Sequence, residues 1–229
     1  VTGQFITFEG GEGAGKTTQI ALLKQRLEEL GIQVILTREP GGSPGAEKIR
    51  EMLLSGAARK LGPRGEAMLF AAARADHVDS VIVPALERGD WVICDRFADS
   101  TRVYQGEAGV DTQVLDLLET VAVAGTRPDL TILIDIPAEI GLSRVSARSK
   151  TDASGGPDRF ESDNIATHER RRTLFLDLAK REPDRFGVVD GRHSSDHVAK
   201  EIWWIVERHF KDLFVEAGGE DIATLKEQD

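Results

Sequence analysis

The chain holds a single cysteine, Cys94, among 229 residues. No intrachain disulfide is possible, and no cysteine-based metal site is expected. With Val92 and Ile93 before it, Cys94 is expected to be a buried core thiol, and so little cysteine suits a reducing cytoplasm. Positive charge is also scarce. Lys and Arg number 29 against 39 Asp and Glu, a formal net charge of −10. A nucleic-acid backbone needs a basic face, so it is not expected as a partner. An anionic substrate would have to be met by a local group of cations, because the overall field repels it. No long apolar run is present, so no membrane span is expected. The first residues run straight into a strand-like segment, and no signal peptide is expected before the fold.

What is present is an alternation of short apolar runs with helix-length amphipathic segments. That pattern predicts an α/β fold with a parallel sheet and helical crossovers, in one domain spanning 1–229. Strands are expected at 4–9, 33–37, 91–95, 130–135 and 187–190. Helices are expected at 15–30, 46–55, 66–88, 112–124, 138–147, 165–181 and 195–210. In the last of these, Val198, Ile202, Ile205, Val206 and His209 form a core-packing stripe. Ser100, Thr101 and Tyr104 are read as sharing a further short helix. Residues 38–45, REPGGSPG, form a shaped loop. A polar, Gly-rich flap is expected at about 149–160, and an acidic tail from 211 that frays over 218–229.

Gly10-Gly11-Glu12-Gly13-Ala14-Gly15-Lys16-Thr17 fits the phosphate-loop pattern G-x-x-x-x-G-K-[ST], with Thr18 beside it. A strand precedes it and a helix opens at Gly15, which is the context the pattern needs. Glycines let successive N–H groups turn toward an anion, and the helix N-terminus adds its dipole. Lys16 would reach the β- and γ-phosphates, and Thr17 would ligate Mg²⁺. The motif alone says that a nucleoside triphosphate binds.

Two classes of phosphate-loop protein lack their marks here. A guanine-reading Asn-Lys-x-Asp is missing, since the one asparagine, Asn164, precedes Ile165. No strand ends in Asp-Glu, as motor-type ATPases require; Asp95 precedes Arg96 and Asp135 precedes Ile136. A small-molecule kinase remains. Asp95-Arg96 closes a strand at the sheet edge where ligands bind in such folds. Asp95 can hold Mg²⁺ or polarise the attacking oxygen, and Arg96 can clamp an acceptor phosphate. On the residues alone, a kinase for another nucleotide or small metabolite and an ATP-dependent switch stay open.

Four motifs carry a resemblance over 5–210: FEGGEGAGKTTQ at 8–19, REPGG at 38–42, LFAAARADH at 69–77 and DRFADSTRVYQG at 95–106. In their order and spacing the chain resembles the bacterial thymidylate (dTMP) kinase family. The resemblance implies a five-stranded parallel sheet with helices on both faces, a homodimer, and ATP with Mg²⁺ as donor for a dTMP acceptor. It implies that Phe70 stacks on the base, that Arg74 donates to a base carbonyl, and that Ser100, Thr101 and Gln105 lie along the base edge. Glu12 would sit beside the sugar 3′-hydroxyl and Tyr104 against the 2′ position. Arg38, Arg50 and Arg96 would surround the acceptor phosphate. Some members place an arginine directly after the acid of the phosphate loop. Here that position is Gly13, so the flap is expected to supply the cation, with Arg148 and Arg159 as first candidates, Lys150 next and Arg144 last. The chain departs from the common pattern at Ser43, at Phe97 and in the length of the flap.

Overall fold

The computed structural model describes residues 3–151, 160 and 163–217, without the side chains of 148–151 and 215–217. Five strands form one parallel sheet in the order β2-β3-β1-β4-β5. They are β1 (Phe5–Glu9), β2 (Val34–Arg38), β3 (Trp91–Asp95), β4 (Leu130–Asp135) and β5 (Phe186–Asp190). Strand β1 is central and buried along its whole length, as its FITF run demands. Every strand ends in a charged residue at the same sheet edge: Glu9, Arg38, Asp95, Asp135 and Asp190. The chain leaves β1 toward β2 and later returns to the other side of β1 for β4. The edge beside β1 is therefore the place where loops diverge and a crevice opens.

Helices cover both faces. On one, α1 (Lys16–Glu29) and α9 (Ser195–His209) pack over Ile6, Phe8, Ile93, Ile132 and Ile134. On the other, Phe5, Val92 and Cys94 meet Phe97, Val78 and Ile82. Sequence-encoded caps fix several starts. Ser43 caps α2 (Pro44–Leu54) with proline at its first position, Asp111 caps α6 (Thr112–Val123), Asn164 caps α8 (Ile165–Arg181), and Ser194 caps α9. Cys94 is buried, as expected, and donates its S–H to the Arg96 carbonyl at 3.0 Å.

Three helix expectations change beyond an end residue or two. The helix expected at 66–88 is a longer, interrupted run: α3 (Gly62–His77), a wide π-type turn over Val78–Ile82, and α4 (Val83–Glu87). Pro84 at the start of α4 lacks an N–H and crowds the preceding turn, which is how such widening arises. The short helix expected to hold Ser100, Thr101 and Tyr104 is present as α5 (Ala98–Glu107). Helix α7 (Ala138–Thr151) runs past its expected end at 147 into the start of the expected flap. In α9 the inward position belongs to Trp203, while His209 is exposed.

The tail boundary also moves. Residues expected from 211 onward as tail begin with α10 (Lys211–Ala217), whose Phe214 is buried against Trp91 and Trp203 at ring distances of 5.9 and 5.5 Å. Residues 218–229 lie outside the described part. Among the described residues no helix is long and apolar enough to cross a membrane. Phe214→Ala should lower unfolding free energy by about 3 kcal/mol, the usual scale for emptying a buried phenylalanine site. Urea denaturation followed by tryptophan fluorescence reads this directly, and an unchanged midpoint would place Phe214 outside the cooperative core.

Candidate active site

The phosphate loop is held by backbone contact on two sides. Gly10, at φ 138°, comes so close to β4 that a Cβ there would lie 2.4 Å from the Ile134 carbonyl oxygen. Gly13, at φ 67°, faces α7, where a Cβ would lie 2.1 Å from the Gly141 carbonyl oxygen. The crowding is mutual, since a Cβ on Gly141 would lie 2.1 Å from the Glu12 carbonyl oxygen. No side chain fits at position 13 without moving α7. Gly15 then starts α1 with no side-chain cap, leaving the first helical amides open to an anion. Lys16 lies folded over this loop, its ammonium donating to the Gly10 and Gly11 carbonyls at 3.2 and 3.1 Å. Burial, and then Arg96, hold its pKa below the ordinary lysine value. Thr17 and Thr18 are exposed beyond it. The Thr17 hydroxyl and the Asp95 carboxylate make no hydrogen bond or salt bridge with a described residue.

The Asp95-Arg96 turn is the second component. Arg96 has φ 68°, a left-handed conformation that costs a non-glycine residue free energy. Its N–H donates to the Phe8 carbonyl at 2.9 Å. The next contacts come from Glu9, which sequence reasoning does not single out. Its Oε1 accepts from the N–H of Phe97 at 2.8 Å and of Ser100 at 3.1 Å, and its Oε2 accepts from the Ser100 hydroxyl at 2.6 Å. Helix α5 has no side-chain cap of its own at Phe97, so Glu9 caps it from the end of β1. Burial, with Asp99 nearby, pushes the Glu9 carboxyl above the ordinary range.

Glu12 joins the two components. It accepts from Arg96 Nη2 at 2.7 Å and from the Tyr104 hydroxyl at 2.8 Å. Arg96 Nη1 donates to the Ser100 hydroxyl at 3.2 Å. The guanidinium groups of Arg96 and Arg171 lie 5.2 and 4.4 Å from the centre of the Tyr104 ring. Burial works against ionising Glu12, but Arg96, Lys16 and the Tyr104 hydroxyl outweigh it and bring its pKa down to about 2.

One cleft brings together all ten residues expected around an acceptor: Glu12, Arg38, Arg50, Phe70, Arg74, Arg96, Ser100, Thr101, Tyr104 and Gln105. Asp95 reaches the same cleft. Glu39, Pro40, Leu54, Phe97 and Phe160 complete the lining. Phe160 stands 6.3 Å from Phe70 and edge-on to Tyr104 at 5.5 Å. Arg38 pairs with Glu47 at 2.9 Å, and Arg50 donates to the Pro40 carbonyl at 2.6 Å. Arg74 is only 2% exposed, so it is not a solvated helix-face charge. The Gln105 side-chain carbonyl is buried without a partner.

The flap candidates fare differently. Arg148 lies in the last turn of α7 and Lys150 beside it, but their side chains lie outside the described part, as does all of Arg159. Arg144 donates to the Gly191 carbonyl at 3.1 Å, tying α7 to the end of β5. Sequence reasoning also misses Glu39, His77 and Arg171. Glu9 carried one available signal: an acid closing an otherwise apolar, buried strand.

Glu12 yields a pH prediction. Its pKa lies below the ordinary 4.5 in the folded protein, so its ionisation stabilises the fold above pH 4.5 and the stabilisation is lost as pH falls toward 2. Glu12→Gln should cost on the order of 3 kcal/mol near neutrality, with the gap closing in acid. Urea unfolding of parent and variant from pH 7 to 3.5, without nucleotide, tests this; a constant gap would refute the assignment.

A profile of the family described as "Thymidylate kinase" matches residues 8–202. Among curated relatives, the "Thymidylate kinase" of Bradyrhizobium sp. (strain ORS 278) is 52% identical over 202 residues, covering 88% of each chain. That of Nitrobacter winogradskyi is 53% identical over 202 residues, covering 88% of this chain and 86% of its own. Nitrobacter hamburgensis supplies another at 52% identity with the same coverage. With the phosphate loop, the Asp-Arg turn and the acceptor cleft in place on one sheet edge, these matches establish that the chain belongs to the thymidylate kinase family of phosphotransferases.

Proposed function

We propose that the chain transfers the γ-phosphoryl group of ATP to dTMP, giving ADP and dTDP for dTTP synthesis. The observation that carries the acceptor assignment is the polar edge of the cleft. Arg74 spends Nε and Nη2 on Glu39 and Thr101, and its Nη1 makes no hydrogen bond with a described residue. Arg74 lines the cleft, and Nη1 is the guanidinium nitrogen left for a ligand there. Gln105 lines the same cleft with an amide whose carbonyl is buried without a partner. A donor and an amide in one cleft match a pyrimidine edge carrying a carbonyl and an N–H. Leaving either group unpaired against a wrong base costs roughly 1–3 kcal/mol. Phe70 offers a ring face to the base, with Ser100 and Thr101 along its edge. Tyr104, held by Glu12, limits space beside the sugar, and Glu12 accepts from the 3′-hydroxyl.

On the donor side, Gly10 to Thr18 cradle the phosphates of ATP and Lys16 spans the β- and γ-groups. The free Thr17 hydroxyl and Asp95 carboxylate fit a Mg²⁺ ion, which when bound offsets phosphate charge. Arg38, Arg50 and Arg96 hold the acceptor phosphate in line, and an oxygen of that phosphate attacks the γ-phosphorus as the bond to the β-phosphate breaks. Position 13 has no room for a side chain. The remaining transition-state charge therefore falls to the flap, with Arg148 and Arg159 as its first suppliers. A cytoplasmic location and a homodimer complete the reading. Leu117 and Val121 of α6 are 67% and 77% exposed, and α6 packs beside α3, which carries the exposed Met68; this apolar surface suits a second copy.

Turnover with dTMP, dUMP, CMP and AMP in a coupled assay tests the acceptor. dTMP should lead in kcat/KM by about a hundredfold over CMP and AMP, and equal use of AMP would overturn the reading. Lys16→Ala should keep the fold and lose at least roughly ninety per cent of kcat; a near-parental rate would remove the phosphate loop from the chemistry. Replacing Leu117 and Val121 by glutamate should convert a dimer to a monomer in sedimentation equilibrium, and an unchanged mass would move the interface elsewhere.

A further inference from the structure

Behind the cleft runs a buried chain of polar side chains for which the phosphoryl-transfer reading has no use. Glu39 accepts from Arg74 Nε at 2.8 Å and faces Nη2 at 2.7 Å, both through Oε2. Its other oxygen, Oε1, lies 3.0 Å from His77 Nδ1. A carboxylate only accepts, so Nδ1 carries the hydrogen. His77 Nε2 lies 2.6 Å from the Thr37 hydroxyl. His77 is fully buried, and Glu39 nearly so. Gly42 packs against the outer end of this chain: a Cβ there would lie 2.4 Å from His77 Nε2 and 2.5 Å from Thr37 Oγ1.

We infer that His77 and Thr37 are positioning residues for acceptor specificity, acting through Glu39 on Arg74. The inference rests on Arg74 reading the acceptor base. Arg74 has five N–H groups in one rigid plane. Two donate to Glu39 and Thr101, with Nη2 also in ion-pair contact with Glu39, and which way the Nη1 edge points follows from where Glu39 Oε2 sits. A carboxylate fixed at one oxygen can still swing about its stem. His77 pins the second oxygen, and Thr37 pins the ring that does so. Both anchors come from fixed elements, the β2 strand and the last turn of α3. Supporting partners of this kind set the geometry of a contact they never touch.

The test compares two histidine substitutions that leave similar voids. His77→Asn keeps an amide donor where Nδ1 stood and loses the Thr37 contact. His77→Gln reaches Thr37 and offers Glu39 nothing. Thr37→Val leaves the imidazole without its outer partner and changes no volume, so it guards against folding failure. Calorimetry should show dTMP affinity falling about tenfold in His77→Gln and several-fold in Thr37→Val. His77→Asn, which keeps the donor to Glu39 and loses only the Thr37 anchor, should fall several-fold, level with Thr37→Val and short of His77→Gln. Affinity for ATP and kcat at saturating dTMP should be near parental in all three. Equal losses in the Asn and Gln variants, or parallel losses for ATP, would reduce His77 to a packing role and overturn the inference. Arg74→Ala is run beside them. If it leaves dTMP binding intact, the base-reading assignment itself fails and the relay falls with it. If it weakens dTMP while the Gln and Val variants do not, the relay alone is wrong.

Discussion

One buried carboxylate holds the two halves of this site together. Glu9 ends the central strand and caps a helix that begins on a neighbouring strand, three hydrogen bonds at once. Without it, α5 would start with unsatisfied amides in a buried place, and the left-handed turn at Arg96 would rest on its contacts with Phe8, Cys94, Glu12 and Ser100. From the far side, Asp99 receives Arg185 at 2.7 and 3.0 Å, fixing the same turn of α5 from below the sheet. Ser100, Thr101, Tyr104 and Gln105 all ride on this helix. Their placement relative to Lys16 is therefore a property of β1, which carries Glu9 and leads directly into the phosphate loop.

The cleft is charged but internally balanced. Arg38 faces Glu47, Arg74 faces Glu39, and Arg96 faces Glu12. Such pairs contribute little net stability once desolvation is counted. Their value lies in holding guanidinium groups in fixed orientations within a strongly acidic chain. An arriving phosphate then meets cations that need no rearrangement of long side chains. Arg96 and Glu12 are a special case, because the same acid that orients the cation also holds the Tyr104 hydroxyl.

Much of the fold was legible from sequence, and for physical reasons. All five strands are short apolar runs, and their ends moved by only a residue. The phosphate loop, the Asp-Arg pair and α5 were readable because an ordinary turn needs neither such dense glycine nor an ion pair closing an apolar strand. What escaped depends on long-range contact. Nothing local in Glu9 announces that it caps a helix some 90 positions on, and Glu39 to His77 is a pairing across 38 residues. The interrupted run from α3 to α4 was lost because apolar periodicity hides a wide turn. Residues 211–217 read as tail because one aromatic, Phe214, is too little signal for a helix. The ten candidate residues that line one cleft were named through motif resemblance, Arg96 also through its place at a strand end, and periodicity alone would have assigned Phe70 to the core.

The mutual exclusion of Gly13 and Gly141 sets a rule for how relatives can vary. Two backbones that touch at these positions leave neither free to change alone. A relative with an arginine after the loop acid must hold its seventh helix farther away, and the segment that follows that helix must start from a different point. Positions 13 and 141 should thus behave as one inherited character. Where the cation is stored, in the loop or beyond the helix, becomes a choice of architecture, because a side chain at 13 would have to displace the backbone of α7.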